Sequence, residues 1–164
     1  MKLTSSLLAL TLITGTLCLV LAAPHKAVSQ ETNDSHGGKI EGTWRVQVTQ
    51  RNCQTGAELR RFPAMLTFAP GGELTGTTTA FPVALRGPDH GIWTFNGGNN
   101  YRAISEAFFF NAAGAWVQTQ RITQSIELTA NSDTFNSTAS VEFFDTTGNI
   151  VLTGCATAAA TRMD

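Results

Sequence analysis

The sequence lacks an excess of basic residues, because its 11 lysines and arginines are balanced by 12 aspartates and glutamates. A net charge of −1 at pH 7 gives no electrostatic basis for binding nucleic acid or an anionic membrane. The chain also lacks a Ser-His-Asp order, a Gly-x-Ser-x-Gly elbow, a phosphate-binding loop and a Cys-x-x-Cys motif. We therefore expect no nucleic acid partner and no bound cofactor.

A long apolar run is present only near the amino terminus, where residues 7–21 follow the basic start at Lys2. Small residues at alternate positions up to residue 22 complete the pattern of a secretory signal peptide at residues 1–22. Cys18 lies within the run, but bulky Leu17 before it argues against a lipoprotein anchor. The expected location is secreted or periplasmic, with no membrane association after cleavage.

Residues 23–39 are polar and carry no periodicity, which predicts a flexible leader. His25 and His36 lie in this leader and are expected to be solvated. The remaining residues 40–164 are predicted to form one domain.

Residues 42–50 alternate polar side chains with apolar ones from Trp44 to Val48, the period-two pattern of a half-buried strand. Cys53 follows this strand, and Cys155 lies in the last predicted strand. An even pair of cysteines in an exported protein is typical of a disulfide, although two separate buried thiols are the alternative. The bridge would join the first and last predicted strands, which are neighbours in a closed barrel.

Turn residues recur throughout the domain without any helical periodicity, so the predicted fold class is all-β. Strands are predicted at residues 42–50, 62–68, 73–79, 92–95, 101–111, 115–129, 134–145 and 149–161. The longest predicted loop, residues 81–91, contains Pro82 and Pro88. The expected architecture is a single eight-stranded up-and-down antiparallel barrel, whose interior holds side chains or one small ligand. A two-sheet sandwich is the second choice.

Gly42-Thr43-Trp44 at the start of the first strand, with Arg162 just past the last, resembles the signature of the lipocalin (calycin) superfamily. In that superfamily a Gly-x-Trp opens an eight-stranded barrel, and an arginine from the final strand packs over the tryptophan. The resemblance implies a structural role for Trp44 and Arg162, through a cation–π contact of about 0.5–2 kcal/mol.

Two further likenesses accompany this resemblance. The allene-oxide-cyclase-like barrels are another small eight-stranded family with the same strand count. Residues 86–93 and 154–158 resemble small exported bacterial proteins whose function is not established. That second likeness spans most of the mature chain, but it implies no activity.

The longest predicted loop also holds the first candidate for chemistry, because Arg86, Asp89 and His90 cluster there before Trp93. His90 is the only histidine in the predicted barrel, and histidine suits proton transfer near neutral pH. The structural alternative is that Asp89 caps a turn and His90 hydrogen-bonds the backbone. A lone histidine with no other His or Cys at ligand spacing argues against a metal site.

The later strands hold the second candidate, a stripe of mixed polarity at even-numbered positions. Glu106 shares a face with Phe108 in one predicted strand, and Trp116 shares a face with Gln118 in the next. If these faces line the interior, the barrel carries a carboxylate and amides among aromatic rings, as ligand pockets do. The opposite orientation leaves Glu106 in solvent, and residues 108–110 put aromatics on both faces, so both orientations stay open.

The leading hypothesis is an exported binding protein whose barrel holds a small, largely apolar molecule. Its candidate ligand-binding residues are Trp93, Phe95, Tyr101, Glu106, Phe108, Trp116 and Gln118. The first alternative is a cofactor-free cyclase or isomerase in the same barrel, with Glu106 or His90 as acid/base. The second is a non-catalytic structural or interaction domain of the cell envelope, which a filled interior and an exposed apolar patch would favour.

Overall fold

The computed structural model describes residues 37–163, which form one closed antiparallel barrel preceded by a single turn of helix. The helical turn, Gly37–Ile40, has 3₁₀ geometry, so residues 37–39 of the expected leader belong to the folded unit. The expected signal peptide at residues 1–22 and the leader up to residue 36 lie outside the described residues, and so do Cys18, His25 and His36. Within residues 37–163, no helix has the length and apolar character needed to span a bilayer.

The barrel consists of eight strands that pair in chain order. They are β1 (Gly42–Arg51), β2 (Glu58–Phe68), β3 (Glu73–Thr78), β4 (Asp89–Phe95), β5 (Asn100–Phe110), β6 (Trp116–Leu128), β7 (Thr134–Asp145) and β8 (Ile150–Arg162). β1 pairs with β8 as well as with β2, and this confirms the predicted up-and-down barrel over the sandwich. β2 and β4 begin earlier than predicted, because Arg60 still pairs with Gln50, and His90 with Glu106.

A disulfide reinforces the junction between the first and last strands. Cys53, in the turn directly after β1, is bonded to Cys155 in β8, and their Cα atoms are 5.2 Å apart. The register places Arg51, the last residue of β1, opposite Cys155, so the bridge continues the hydrogen-bonded pairing. The predicted bridge is therefore confirmed, and the barrel is closed both by hydrogen bonds and covalently.

One end of the barrel, which we call the closed end, is sealed by Trp44 and Arg162. Trp44 is fully buried, and its Nε1 donates a hydrogen bond to the carbonyl of Ile40 at 2.9 Å. The Arg162 guanidinium lies 4.3 Å from the centre of the Trp44 ring and donates to the carbonyls of Ser132 and Glu41. This is the packing that the lipocalin resemblance implied, and the closed eight-stranded barrel is consistent with a lipocalin-like fold.

Next to this seal, the closed half of the barrel is filled by aromatic rings. Phe68 lies with its ring centre 6.4 Å from that of Trp93 and 6.1 Å from that of Phe135, both edge to face. Trp93 also meets Tyr101 at 6.0 Å. Such pairs add about 0.5–1.5 kcal/mol beyond the burial of their area. The closed half is therefore a solid core.

Gly91 in β4 is required by the close approach of β5. A Cβ at this position would collide with the carbonyl of Ile104 and lie 2.6 Å from the Cα of Ser105. We expect Gly91→Ala to lower the free energy of unfolding by about 3 kcal/mol, because the backbone can make room only by breaking strand pairing. Urea unfolding would measure the loss.

The control is Gly154→Ala in β8, where a Cβ would meet Val141 at an ordinary 3.7 Å. Here we expect a gain of about 0.4–1 kcal/mol in the free energy of unfolding, because alanine restricts the unfolded chain. Equal destabilisation by the two substitutions would contradict the close approach at Gly91.

Candidate functional site

The half of the barrel opposite the closed end contains a cavity of about 200 Å³. We call this end the mouth, and it carries the β1–β2, β3–β4, β5–β6 and β7–β8 connections. Most of the cavity wall is apolar, with side chains that include Val46, Val48, Ala64, Leu66, Ile122 and Val141. The wall reaches exposed residues at the rim, so the cavity extends to the mouth.

The cavity exists because the neighbouring strands β7 and β8 present small residues to the interior. The inner positions of β8 carry Gly154, Ala156 and Ala158, and β7 contributes Ala139 beside them. Strand geometry places these alternate residues on one face. Small side chains therefore leave open at the mouth the space that aromatic rings occupy at the closed end.

A buried ion pair between Arg86 and Asp89 forms part of the cavity wall. Two contacts join them, Nη2 to Oδ1 at 2.6 Å and Nη1 to Oδ2 at 3.1 Å, and the side chains are only 3% and 6% exposed. Gln120 Oε1 accepts from Arg86 Nε at 3.0 Å and from Nη2 at 2.8 Å, and the Gly87 carbonyl accepts from Nη1. The guanidinium donors thus all point at acceptors within the protein, and its charge is neutralised by Asp89.

The loop between β3 and β4 brings Arg86 into the barrel by running back along β5. Gly87 N donates to the carbonyl of Phe108 at 2.9 Å, and Phe110 N donates to the carbonyl of Leu85 at 3.0 Å. Arg86, between these two contacts, points inward and lies with its guanidinium carbon 5.8 Å from the centre of the Phe109 ring. The predicted loop cluster therefore contributes a wall of the cavity.

Two neighbouring residues of the same cluster, Asp89 and His90, lie on opposite faces of the barrel wall because side chains alternate along β4. Asp89 faces the interior and pairs with Arg86, whereas the next residue, His90, is exposed on the outer wall. His90 lies opposite Glu106 of β5. Glu106 Oε1 in turn lies 2.7 Å from Nη2 of Arg121 on the adjacent strand β6, and the side chains of Glu106 and Arg121 are each more than 40% exposed. Both acid/base candidates, His90 and Glu106, are therefore on the outer wall and away from the cavity.

Among the candidate ligand-binding residues, three lie in the solid core of the closed half. Trp93 and Tyr101 are buried there and Phe95 packs against them, and none of the three lines the cavity. Trp93 Nε1 donates to the carbonyl of Ala69 at 3.0 Å, and burial raises the pKa of the Tyr101 hydroxyl. The structure gives these residues a packing role next to the cavity.

The inward orientation considered for the even positions of β5 is wrong. Odd-numbered residues from Tyr101 to Phe109 are buried, which places Glu106 and Phe108 on the outer wall. On the outer wall, Glu106 forms an ion pair with Arg121 of β6.

The even positions of β6 do face inward, but Trp116 does not follow them. A register shift makes Phe110 oppose Trp116 while Phe109 opposes Gln118, so the extra residue Val117 reverses the facing of the strand end. Trp116 is exposed and stacks edge to face on Phe108, with ring centres 6.1 Å apart. Gln118 is half-buried near the mouth and does not line the cavity.

Three polar residues of the cavity wall are absent from the candidate ligand-binding residues, although one of them, Gln124, lies on the even-numbered stripe of mixed polarity that the sequence indicates. Ser105, Gln124 and Ser137 are 2%, 8% and 6% exposed, and all three line the cavity. They occupy inner positions of β5, β6 and β7, where alternation with the outward Glu106 and Ser125 could have revealed them. Within residues 37–163, no group of three His, Cys, Asp or Glu side chains is arranged to hold a metal ion.

Comparison with known proteins finds no protein family and no curated sequence that matches the chain. The lipocalin likeness therefore rests on the barrel itself and on the Trp44–Arg162 seal.

Proposed function

We propose that this protein is an exported binding protein that holds a small, largely apolar molecule in the cavity at the mouth of its barrel. The supporting observation is the cavity of about 200 Å³, with its apolar wall and few polar groups. This is the composition of small-molecule sites in general. The Cys53–Cys155 bridge supports a secreted or periplasmic location, because disulfides persist in oxidising compartments.

The apolar wall of the cavity itself favours a functional role. Apolar surface that stays in contact with water forgoes the free energy that burial supplies, about 25 cal/mol per Å². An apolar ligand that fills the cavity removes this surface from water, and this gives its binding a driving force.

A cyclase or isomerase in this barrel has less support. Such an enzyme needs an acid or base that faces its substrate, and both His90 and Glu106 lie on the outer wall. Asp89, the carboxylate at the cavity wall, is held by Arg86. Among the described residues that line the cavity, none therefore offers the catalytic alternative a free carboxylate or imidazole.

The interaction-domain hypothesis required a filled interior together with an exposed apolar patch, and only the second is present. Most large exposed apolar residues of the described chain surround the mouth: Leu59, Val83, Phe108, Trp116, Val117, Ile150, Val151 and Leu152. Because this rim encircles the cavity entrance, the binding proposal accounts for both features.

The test compares two leucine substitutions on β8, with toluene as the probe. Ala156 lines the cavity, whereas Ala159 is exposed on the outer wall. In amide-resolved NMR titrations, wild type and Ala159→Leu should show saturable shifts around the cavity. Ala156→Leu should bind at least tenfold more weakly, because its side chain occupies the space. No saturable response in wild type, or an equal response in Ala156→Leu, would refute the proposal.

A further inference from the structure

Three polar side chains at the inner end of the cavity have no hydrogen-bond partner among residues 37–163. No donor or acceptor of residues 37–163 hydrogen-bonds the side chains of Ser105, Gln124 or Ser137, and yet all three are more than nine-tenths buried. In that part of the chain, every side-chain nitrogen or oxygen that is fully shielded from solvent has a hydrogen-bond partner. The polar atoms of these three side chains have none, so they must face the open space of the cavity. Buried polar groups cost free energy unless something bonds them. A ligand that hydrogen-bonds these side chains would offset that cost.

The three side chains occupy inner positions of three consecutive strands, with Gln124 of β6 in the middle. Ile122 of β6 opposes Ser105 of β5, and Ile126 opposes Ser137 of β7, with Gln124 midway between the two isoleucines on the same inner face. Gln124 is therefore a diagonal neighbour of each serine, and its long side chain can approach either one. The two serines lie on opposite sides of β6 and face different parts of the cavity wall.

The charges at the inner end of the cavity disfavour an ionic occupant there. Arg86 already directs its donors to Asp89, Gln120 and the Gly87 carbonyl, and Arg60, the other cation of the wall, is exposed at the mouth. A carboxylate or ammonium placed at the inner end would be buried without a counter-charge, at a cost of several kcal/mol. The groups that remain, hydroxyls and an amide, bond to neutral polar groups.

The volume sets the size of the occupant. An apolar cavity of about 150 Å³ holds one benzene molecule, and here the cavity measures about 200 Å³. The available space therefore suits one ring with a small substituent.

We infer that the ligand is an uncharged single-ring molecule carrying one hydroxyl or carbonyl group, which hydrogen-bonds Gln124, with Ser105 or Ser137 as a second partner, while the ring packs against the apolar wall. This inference rests on the proposed function and adds the class of ligand to it. Gln124 serves as the central contact, because its amide both donates and accepts and can bond either a hydroxyl or a carbonyl.

The experiment measures the affinities of p-cresol, toluene and benzoate by calorimetry at pH 7. Wild type should bind p-cresol about tenfold more tightly than toluene, because each neutral hydrogen bond contributes a factor of roughly 2 to 13. Benzoate should bind at least a hundredfold more weakly than p-cresol. Gln124→Met should remove the preference for p-cresol and leave the affinity for toluene unchanged or higher. The control is Gln47→Met on the exposed outer face of β1, which should behave as wild type.

The outcomes separate this inference from the proposed function. Equal affinities for p-cresol and toluene would mean that Ser105, Gln124 and Ser137 only hold water, which overturns the inference and leaves the binding function standing. Tighter binding of benzoate would overturn it in favour of an anionic ligand at the mouth, where Arg60 is exposed. Failure of all three probes to bind would remove the proposed function itself.

Discussion

Replacing Arg86 by alanine is expected to lower the free energy of unfolding by about 3–5 kcal/mol, because Asp89 would become an unpaired buried charge. Both side chains are almost completely buried, and their two contacts are 2.6 Å and 3.1 Å long. Gln120 Oε1 would also lose the two hydrogen bonds that it accepts from Arg86. Chemical denaturation followed by circular dichroism would measure the loss.

The double substitution Arg86→Met/Asp89→Leu distinguishes the cost of leaving Asp89 unpaired from the net contribution of the ion pair to the free energy of unfolding. Removing both charges eliminates the uncompensated carboxylate, and replacing a buried ion pair by apolar residues is often neutral or stabilising. We expect the double variant to be at least 2 kcal/mol more stable than Arg86→Ala.

The control is Arg121→Ala, which breaks the ion pair with Glu106 on the outer wall. Both of those side chains are more than 40% exposed, so the expected loss is below about 1 kcal/mol. If Arg86→Ala costs no more than Arg121→Ala, the Arg86–Asp89 pair is not buried as described.

Removal of the disulfide is expected to have an effect of similar size. The bridge joins residues 102 positions apart, and closing a loop of that length restricts the unfolded chain by about 4–5 kcal/mol in the chain-entropy model. We expect Cys53→Ala/Cys155→Ala to lose most of this stability in urea unfolding, while keeping its β-sheet circular dichroism because the β1–β8 hydrogen bonds remain.

The same loss should follow treatment of wild type with a reducing agent, and the double alanine variant should not respond to that agent. This pairing controls for any effect of the alanines themselves. A wild-type stability that is unchanged on reduction would contradict the role of the bridge in holding the barrel closed.

The barrel was predictable from the sequence because its signals are local. Strand periodicity, turn residues and the pair Cys53 and Cys155 together indicate an ordered ring of eight strands with joined ends. The facing of β5 was not predictable, since aromatic residues occupy both faces at Phe108 and Phe109. It is decided by packing across strands, where Glu106 meets Arg121 outside and Ser105 faces the cavity inside.

The site was less predictable than the fold, because it depends on the path of a loop. Charged residues beside proline and glycine, such as Arg86 and Asp89, are typical of exposed turns. Only the return of the loop along β5 buries them as a pair. The cavity did leave a signal in the alternate small residues Gly154, Ala156 and Ala158, which cannot fill a barrel of this size.

Binding inside the barrel can be observed in a crystal structure of the protein soaked with 4-bromophenol, with the bromine located by its anomalous scattering. We expect one bromine inside the barrel, beside Ala156 and Ala158, with the phenol oxygen within hydrogen-bond distance of Gln124 or Ser137. Bromine found only on the exposed rim around Phe108 and Trp116, with the cavity empty or holding water, would contradict this expectation.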